Sequence, residues 1–295
     1  GAQAETCLTI YLNVTVAGTV EEAKATCKAV LLNARKTGVD SLFASHQAEW
    51  HEFWEKSFVS IPNDFVENMW YLNLYYANSE CRGKYPPLFC NGIWGFYHDY
   101  VPWNYYFHYN MQLHNFPLHA ANHPELIENY YRLKRDQLPN AEKFCETYKH
   151  VKGAFYTDVY DRNGFNDAGT TDNCTCGAQV AMDMWKHYRY TGDETFLVNT
   201  ALPVMKATAL FYRNMLKKEG DGDGLYHIHG TQAYEGTPLF DDSITDLSMM
   251  RALFGALATV SDEEEAAIYT EILDNLSPFH FLPLEADETD GTFLT

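Results

Sequence analysis

Positive charge is scarce in this chain. Its 295 residues hold 21 Lys and Arg against 40 Asp and Glu, a formal charge of −19. No basic patch interleaved with aromatics occurs, so nucleic acid is not an expected partner. Acidity of this size reports mostly on solubility. Also missing is any apolar run near the 18 or so residues that a membrane helix needs, so no membrane insertion is expected. The first residues, GAQAET, have neither the basic nor the apolar region of a signal peptide. Cysteine shows no pairing pattern. The seven cysteines stand at 7, 27, 81, 90, 145, 174 and 176 without a C-x-x-C pair, and Cys174 and Cys176 are too isolated for a zinc site. Buried free thiols are the expectation. No G-x-S-x-G, P-loop or dinucleotide fingerprint occurs, and His46 and His51 lack the metalloprotease spacing. Asp221-Gly222-Asp223-Gly224 opens like a calcium loop. It fails at the sixth position, Tyr226, and at the twelfth, Gln232, where Gly and Glu are required. His227 and His229 read as substrate or core residues rather than metal ligands. No cofactor and no metal are expected.

What the chain does have is concentrated in Pro86–Pro117. These residues hold two of the six tryptophans, three of the twelve histidines and a dense run of Tyr, Phe and Asn. Every Tyr, Asn, Gln or His needs a polar partner once buried, which makes this a poor composition for a plain core. It suits a surface that receives a sugar ring. Aromatic faces cover the C–H patches of the ring, while amides and imidazoles fix its hydroxyls. The alternative is an irregular loop that uses its aromatics as filler. A carbohydrate is the expected partner, and the oligomeric state is not specified.

Residues 7–16 alternate apolar and polar, which predicts a half-buried β-strand. A lone strand is not a stable unit, so it reads as the residual strand of an upstream β-domain. Helices follow. Thr19 to Glu22 predicts a capping box opening a helix to about Lys36, ended by Gly38. Asp40 is expected to cap a second helix, to about Ser57, and Asn63 a third over 64–82. Further helices are predicted near 124–137, 140–149, 177–191, 194–218, 243–259 and 262–275. Residues 151–173 read as a long irregular loop. Successive long helices joined by long loops predict a mainly α fold, an incomplete (α/α)6 toroid. The predicted organisation is residues 1–17 as the residual strand, 18–60 as a helical linker and 61–295 as the partial toroid, a fragment of a longer protein.

Two motifs carry a family resemblance. The first is Asn91-Gly92-Ile93-Trp94, Pro102-Trp103, Asn110-Met111-Gln112-Leu113, Phe116-Pro117, Ala121-Asn122 and Glu125-Leu126. The second is Gly177-Ala178, then Trp185 to Asp193, Phe196-Leu197 and Pro203-Val204. In this order they resemble glycoside hydrolase family 95, the inverting α-L-fucosidases and related α-L-galactosidases. The resemblance implies exo-cleavage of a terminal α-L-fucoside or α-L-galactoside. Another (α/α)6 enzyme, a glucosidase or phosphorylase, and a non-catalytic carbohydrate-binding remnant are the alternatives. The family's two active-site asparagines fall at His108 and Asn110. Only Asn110 matches, and its implied role is to orient the attacking water. A plain helix cap starting at Met111 is the other reading of Asn110.

By the same resemblance the general acid falls at Glu235, and Asp246 matches the aspartate that follows. Glycosidic cleavage needs a protonated carboxyl beside the leaving oxygen. Burial among Tyr226 and Tyr234 is expected to raise the pKa of Glu235 in that direction. Asp242 is the second candidate acid. Trp94, Trp103, His108, Gln112, His229 and Asp242 are the expected substrate-binding residues. The base carboxylate is expected beyond Thr295, and the location is expected to be periplasmic or extracellular.

Overall fold

The chain divides into two units, residues 1–60 and 61–295. The structure, a computed structural model, describes residues 8–83, 106–160, 172–218, 222–234 and 236–279.

The first unit is a helical pair, α1 (Val20–Thr37) and α2 (Val39–Glu55). The capping box forms as expected. Thr19 Oγ1 accepts from Glu22 N at 3.2 Å, and Glu22 Oε2 accepts from Thr19 N at 3.0 Å. Gly38, at φ +83°, ends α1 and leads directly into α2. Only glycine takes that dihedral at little cost, and its presence there leaves Asp40 in the first turn rather than at the cap. The expected strand is not found: residues 8–17 join no ladder. Leu12 and Val14 are 90% and 93% exposed. Period-two alternation gains free energy only when one face lies on a sheet, and among the described residues no strand pairs with this segment.

The second unit holds α3 (Asp64–Glu80), α4 (His108–Ala120), α5 (Glu128–Asp136), α6 (Leu138–Phe144), α7 (Thr175–Thr191), α8 (Glu194–Phe196), α9 (Leu202–Met215), α10 (Ile244–Val260) and α11 (Glu263–Asp274). Capping side chains account for several starts. Asn63 Oδ1 accepts from Phe65 N and Val66 N, Asp193 Oδ1 from Phe196 N, and Asp262 Oδ1 from Glu265 N. Two predicted boundaries are corrected. The helix expected to reach residue 218 stops at Met215, because Lys217 and Lys218 pair as β3 with β4 (Tyr226–His227). The helix expected from Met111 starts at His108, directly after β1 (Tyr106–Phe107), which pairs with β2 (Val159–Tyr160). Asn110 therefore lies in the first turn of α4 and is not its cap.

The core lies where α7, α9 and α10 pack on one another. Val180, Met184, Val204, Met205, Leu247, Met250, Leu253 and Leu257 are all fully buried. Burying one such side chain contributes about 1.5–3 kcal/mol before entropy is counted. Between α6 and α9 the chain threads through as residues 153–157, with Ala154 N donating to Ala207 O at 2.8 Å and Phe155 N to Ala141 O at 3.2 Å. Gly153 makes this passage possible. At φ +121° a Cβ there would stand 2.2 Å from Phe211 N, inside any contact distance.

Candidate active site

Three helices point their N-termini at one end of the second unit. His119 Nε2, near the C-terminus of α4, meets His187 Nδ1, near the C-terminus of α7, at 3.3 Å. Gln112, earlier on α4, lies beside Asp183, earlier on α7, so the two helices run in the same direction and Asn110 lies towards the end where α7 begins. The Tyr212 hydroxyl, from the C-terminal part of α9, lies 2.9 Å from Cys174 O and 3.2 Å from Asp246 Oδ1. That contact brings the start of α10 beside the start of α7. A hairpin of β5 (Thr231–Gln232) and β6 (Leu239–Phe240) attaches at the same place, through Gln232 N to Asp172 O at 2.8 Å. Helix N-termini carry unsatisfied N–H groups and positive dipole ends, which favour oxygen-rich ligands. The residues flanking 161–171 and 235 are held at this end.

Asp246 anchors it. The side chain is fully buried, with Oδ2 accepting from Thr231 Oγ1 and Ser243 Oγ, both at 2.7 Å. Burial pushes its pKa up, against these bonds and that from Tyr212. Neighbouring Asp242 serves the hairpin. It sits at φ +50°, a left-handed conformation that Asp tolerates better than most residues. Oδ1 accepts from Ile228 N at 2.9 Å, and Oδ2 lies 2.5 Å from His227 Nδ1. Burial would raise the Asp242 pKa, but these bonds outweigh it and hold the carboxyl below its ordinary value. A carboxylate held ionised in this way does not suit the role of general acid at neutral pH. His229 is exposed and pairs with Asp241 at 3.2 Å.

The Asp242–His227 contact gives a measurable consequence. The hydrogen bond to Asp242 raises the His227 pKa. The stabilisation that comes from protonating His227 is thus present below its unfolded value and fades as pH rises through the folded one. Asp242→Asn should lower the His227 pKa, followed by NMR titration, while leaving the Ile228 N–H an acceptor. Asp242→Ala should also orphan that N–H, at about 1–3 kcal/mol in denaturant unfolding.

Gln112 faces the interior, 1% exposed. Its hydrogen bonding helps hold down the Asp183 pKa, yet neither its amide atoms nor Asp183 Oδ2 closes a bond of ordinary geometry. Burial dominates, and the Asp183 carboxyl is pushed up to about 7. Nearby lies Lys134, fully buried, its Nζ 3.3 Å from the centre of the Tyr160 ring and also over Tyr130 and Tyr156. Burial drives its pKa well below the ordinary value, opposed by Cys176 and Asp183. A carboxyl near neutrality beside a desolvated amine marks either a functional centre or a structural ion pair. Sequence reading missed both residues. The available signal was periodicity: Lys134 falls four residues after Tyr130, and Asp183 three after Val180, on faces otherwise apolar or aromatic.

The remaining expected residues divide as follows. Trp94, Trp103 and Glu235 lie outside the described residues, as does the side chain of His108, whose backbone opens α4. The Tyr226 hydroxyl goes to Glu271 at 3.0 Å, and Tyr234 is 70% exposed. Neither ring is buried, and the surroundings of Glu235 lie outside the described residues.

Residues 32–279 match the glycosyl hydrolase family 95 catalytic domain. The chain belongs to this family. Two curated relatives are similar to part of it: a kojibiose hydrolase of Flavobacterium johnsoniae, 25% identical over 199 residues, and one of Mucilaginibacter mallensis, 26% identical over 201 residues. The matches cover 63% and 64% of this chain but 27% and 28% of those proteins, so the chain spans under a third of the relatives' length. A solved structure of a candidate kojibiose phosphorylase from the human microbiome superposes with a TM-score of 0.72 at 13% identity. It covers 88% of this chain and 41% of that one. At that identity the likeness speaks for the fold, which is mainly helical and of the (α/α)6 toroid type.

Proposed function

We propose that the chain supplies the acid side of the active site of an inverting exo-glycoside hydrolase that removes a terminal neutral sugar. The observation that carries the reading is the convergence of Asn110, Cys174, Asp246 and the β5–β6 hairpin at one end of a family 95 domain. Glu235, in the loop of that hairpin, acts as general acid. Asn110, exposed in the first turn of α4, orients the attacking water. Trp94, Trp103 and His108 shape the pocket.

Two sugars fit. A terminal α-L-fucoside or α-L-galactoside follows from the family resemblance. An α-glucoside such as kojibiose is supported by the names of the two relatives and by His108, which departs from the family asparagine. The decisive experiment uses full-length protein on kojibiose and on an α-L-fucosyl oligosaccharide, with the product anomer followed by NMR. Initial release of the inverted anomer from either supports the reading and chooses the sugar. Retention of configuration would overturn it.

The pocket should also prefer uncharged sugars. Pro86–Pro117 contains no Lys or Arg, and Lys149, at the same end, is already paired with Asp172 at 3.1 Å. Nothing there offers the clamp that anionic substrates attract. Tighter binding of a uronic acid than of the neutral sugar, measured by calorimetry, would count against this.

A further inference from the structure

Away from the candidate active site, the ends of α3 and α4 bring three ligating atoms together. Glu80 is the last residue of α3 and Cys81 its C-cap. From the facing helix, His114 Nε2 lies 3.2 Å from Cys81 Sγ and 3.3 Å from Glu80 Oε1. All three ligating atoms fall within 4.8 Å of one another. We propose that Glu80, Cys81 and His114 form a binding site for a divalent transition-metal cation, zinc by preference.

Geometry is the first support. Zinc bonds of about 2.0–2.1 Å to nitrogen, 2.3 Å to sulfur and 2.0–2.2 Å to oxygen set tetrahedral edges of roughly 3.5 Å for N···S and 3.4 Å for N···O. The observed separations are within a few tenths of an ångström of both. Ligand type is the second support. A thiolate, an imidazole and a carboxylate together select zinc or cobalt over magnesium and calcium, which prefer all-oxygen sites. The third is charge balance at a buried sulfur, that of Cys81. A doubly charged cation balances one thiolate and one carboxylate and relieves their repulsion, releasing the thiol proton to solvent. The frame is fixed independently: Asn129 Nδ2 donates to Cys81 O and Gly83 O, both at 2.7 Å. Three protein ligands leave a fourth position for water. The ion would tie the end of α3 to the middle of α4, the helix that carries Asn110 and Gln112.

The test uses full-length protein, stripped with a chelator and titrated with Co²⁺ as a spectroscopic probe. One equivalent should develop thiolate-to-cobalt charge-transfer absorption and intense tetrahedral visible bands, and Zn²⁺ should abolish both in equimolar amount. Zn²⁺ should raise the melting temperature of the wild type. Cys81→Ser should lose the charge-transfer band. Glu80→Gln and His114→Ala keep the sulfur and should weaken Co²⁺ binding at least ~10-fold, which leaves a readout if Cys81→Ser does not fold. The site is refuted if wild type binds no stoichiometric Co²⁺, if the bound ion shows no thiolate absorption, or if the spectrum and affinity survive Glu80→Gln and His114→Ala unchanged.

Discussion

Glu235→Gln in the full-length enzyme should lower kcat/KM on a natural oligosaccharide by about 10²–10⁴-fold, the usual worth of general acid catalysis. Glutamine keeps the shape of the side chain and removes the proton. The loss should shrink on a nitrophenyl glycoside, whose leaving group departs without protonation. Asn110→Ala should behave differently. It disturbs the attacking water, so its defect should persist on both substrates. The comparison of two variants on two leaving groups separates the roles. Equal losses on both substrates for Glu235→Gln would remove Glu235 as the acid. Asp183, with its carboxyl pushed up to about 7, would then be the next residue to test, ahead of Asp242, which is held ionised by His227 and Ile228. Near-normal kcat/KM for Asn110→Ala would reduce that residue to a first-turn helix position.

Asp246→Ala should destabilise the second unit by about 2–6 kcal/mol, because two buried hydroxyls lose their acceptor. The Thr231 and Ser243 hydroxyls both donate to Asp246 Oδ2, and each orphaned hydroxyl costs about 1–3 kcal/mol. Tyr212 keeps Cys174 O as an acceptor. Asp246→Asn should be far milder. Its amide oxygen can accept from Thr231 and Ser243, while its NH₂ donates to the Tyr212 oxygen and the Tyr212 proton goes to Cys174 O. Protonated Asp246 can make the same pattern. Its folded pKa is raised, so between the unfolded and folded values the native state binds more protons than the unfolded state. The stability derivative with pH is then negative. This contribution is full below the ordinary carboxylate pKa and declines as pH rises through the raised folded value. Denaturant unfolding of Asp246→Asn should show that decline removed. A wild-type-like pH dependence in this variant, or an Asp246→Ala loss below about 1 kcal/mol, would mean that the network does not hold this end together.

Local signals in the sequence carried much of the architecture. Thr19, Asn63, Asp193 and Asp262 each accept from a backbone N–H in the first turn of the helix they precede. Hydrogen bonds across two or three residues are encoded by neighbours, so a short window suffices to read them. The two motifs placed the chain in family 95 for a similar reason: each is a set of short runs within a few dozen residues. The alternation at 8–16 is legible as a pattern, but a strand exists only with a partner, and among the described residues none pairs with this segment. The extended reading of residues 108–110 is also overtaken, because α4 starts at His108.

By itself, then, the sequence determined where several helices begin, which family the chain belongs to, and that residues 86–117 are rich in aromatics and hold no Lys or Arg. Tertiary structure alone decided which polar groups meet. Asp246 is joined to Tyr212 and Thr231 across 34 and 15 residues. Lys134 is enclosed by Tyr130, Tyr156 and Tyr160, and His114 reaches Cys81 across 33 residues. The physical reason is that such contacts depend on how whole helices cross. Helix crossing is set by the summed packing of apolar faces, and no local window of the chain contains that sum.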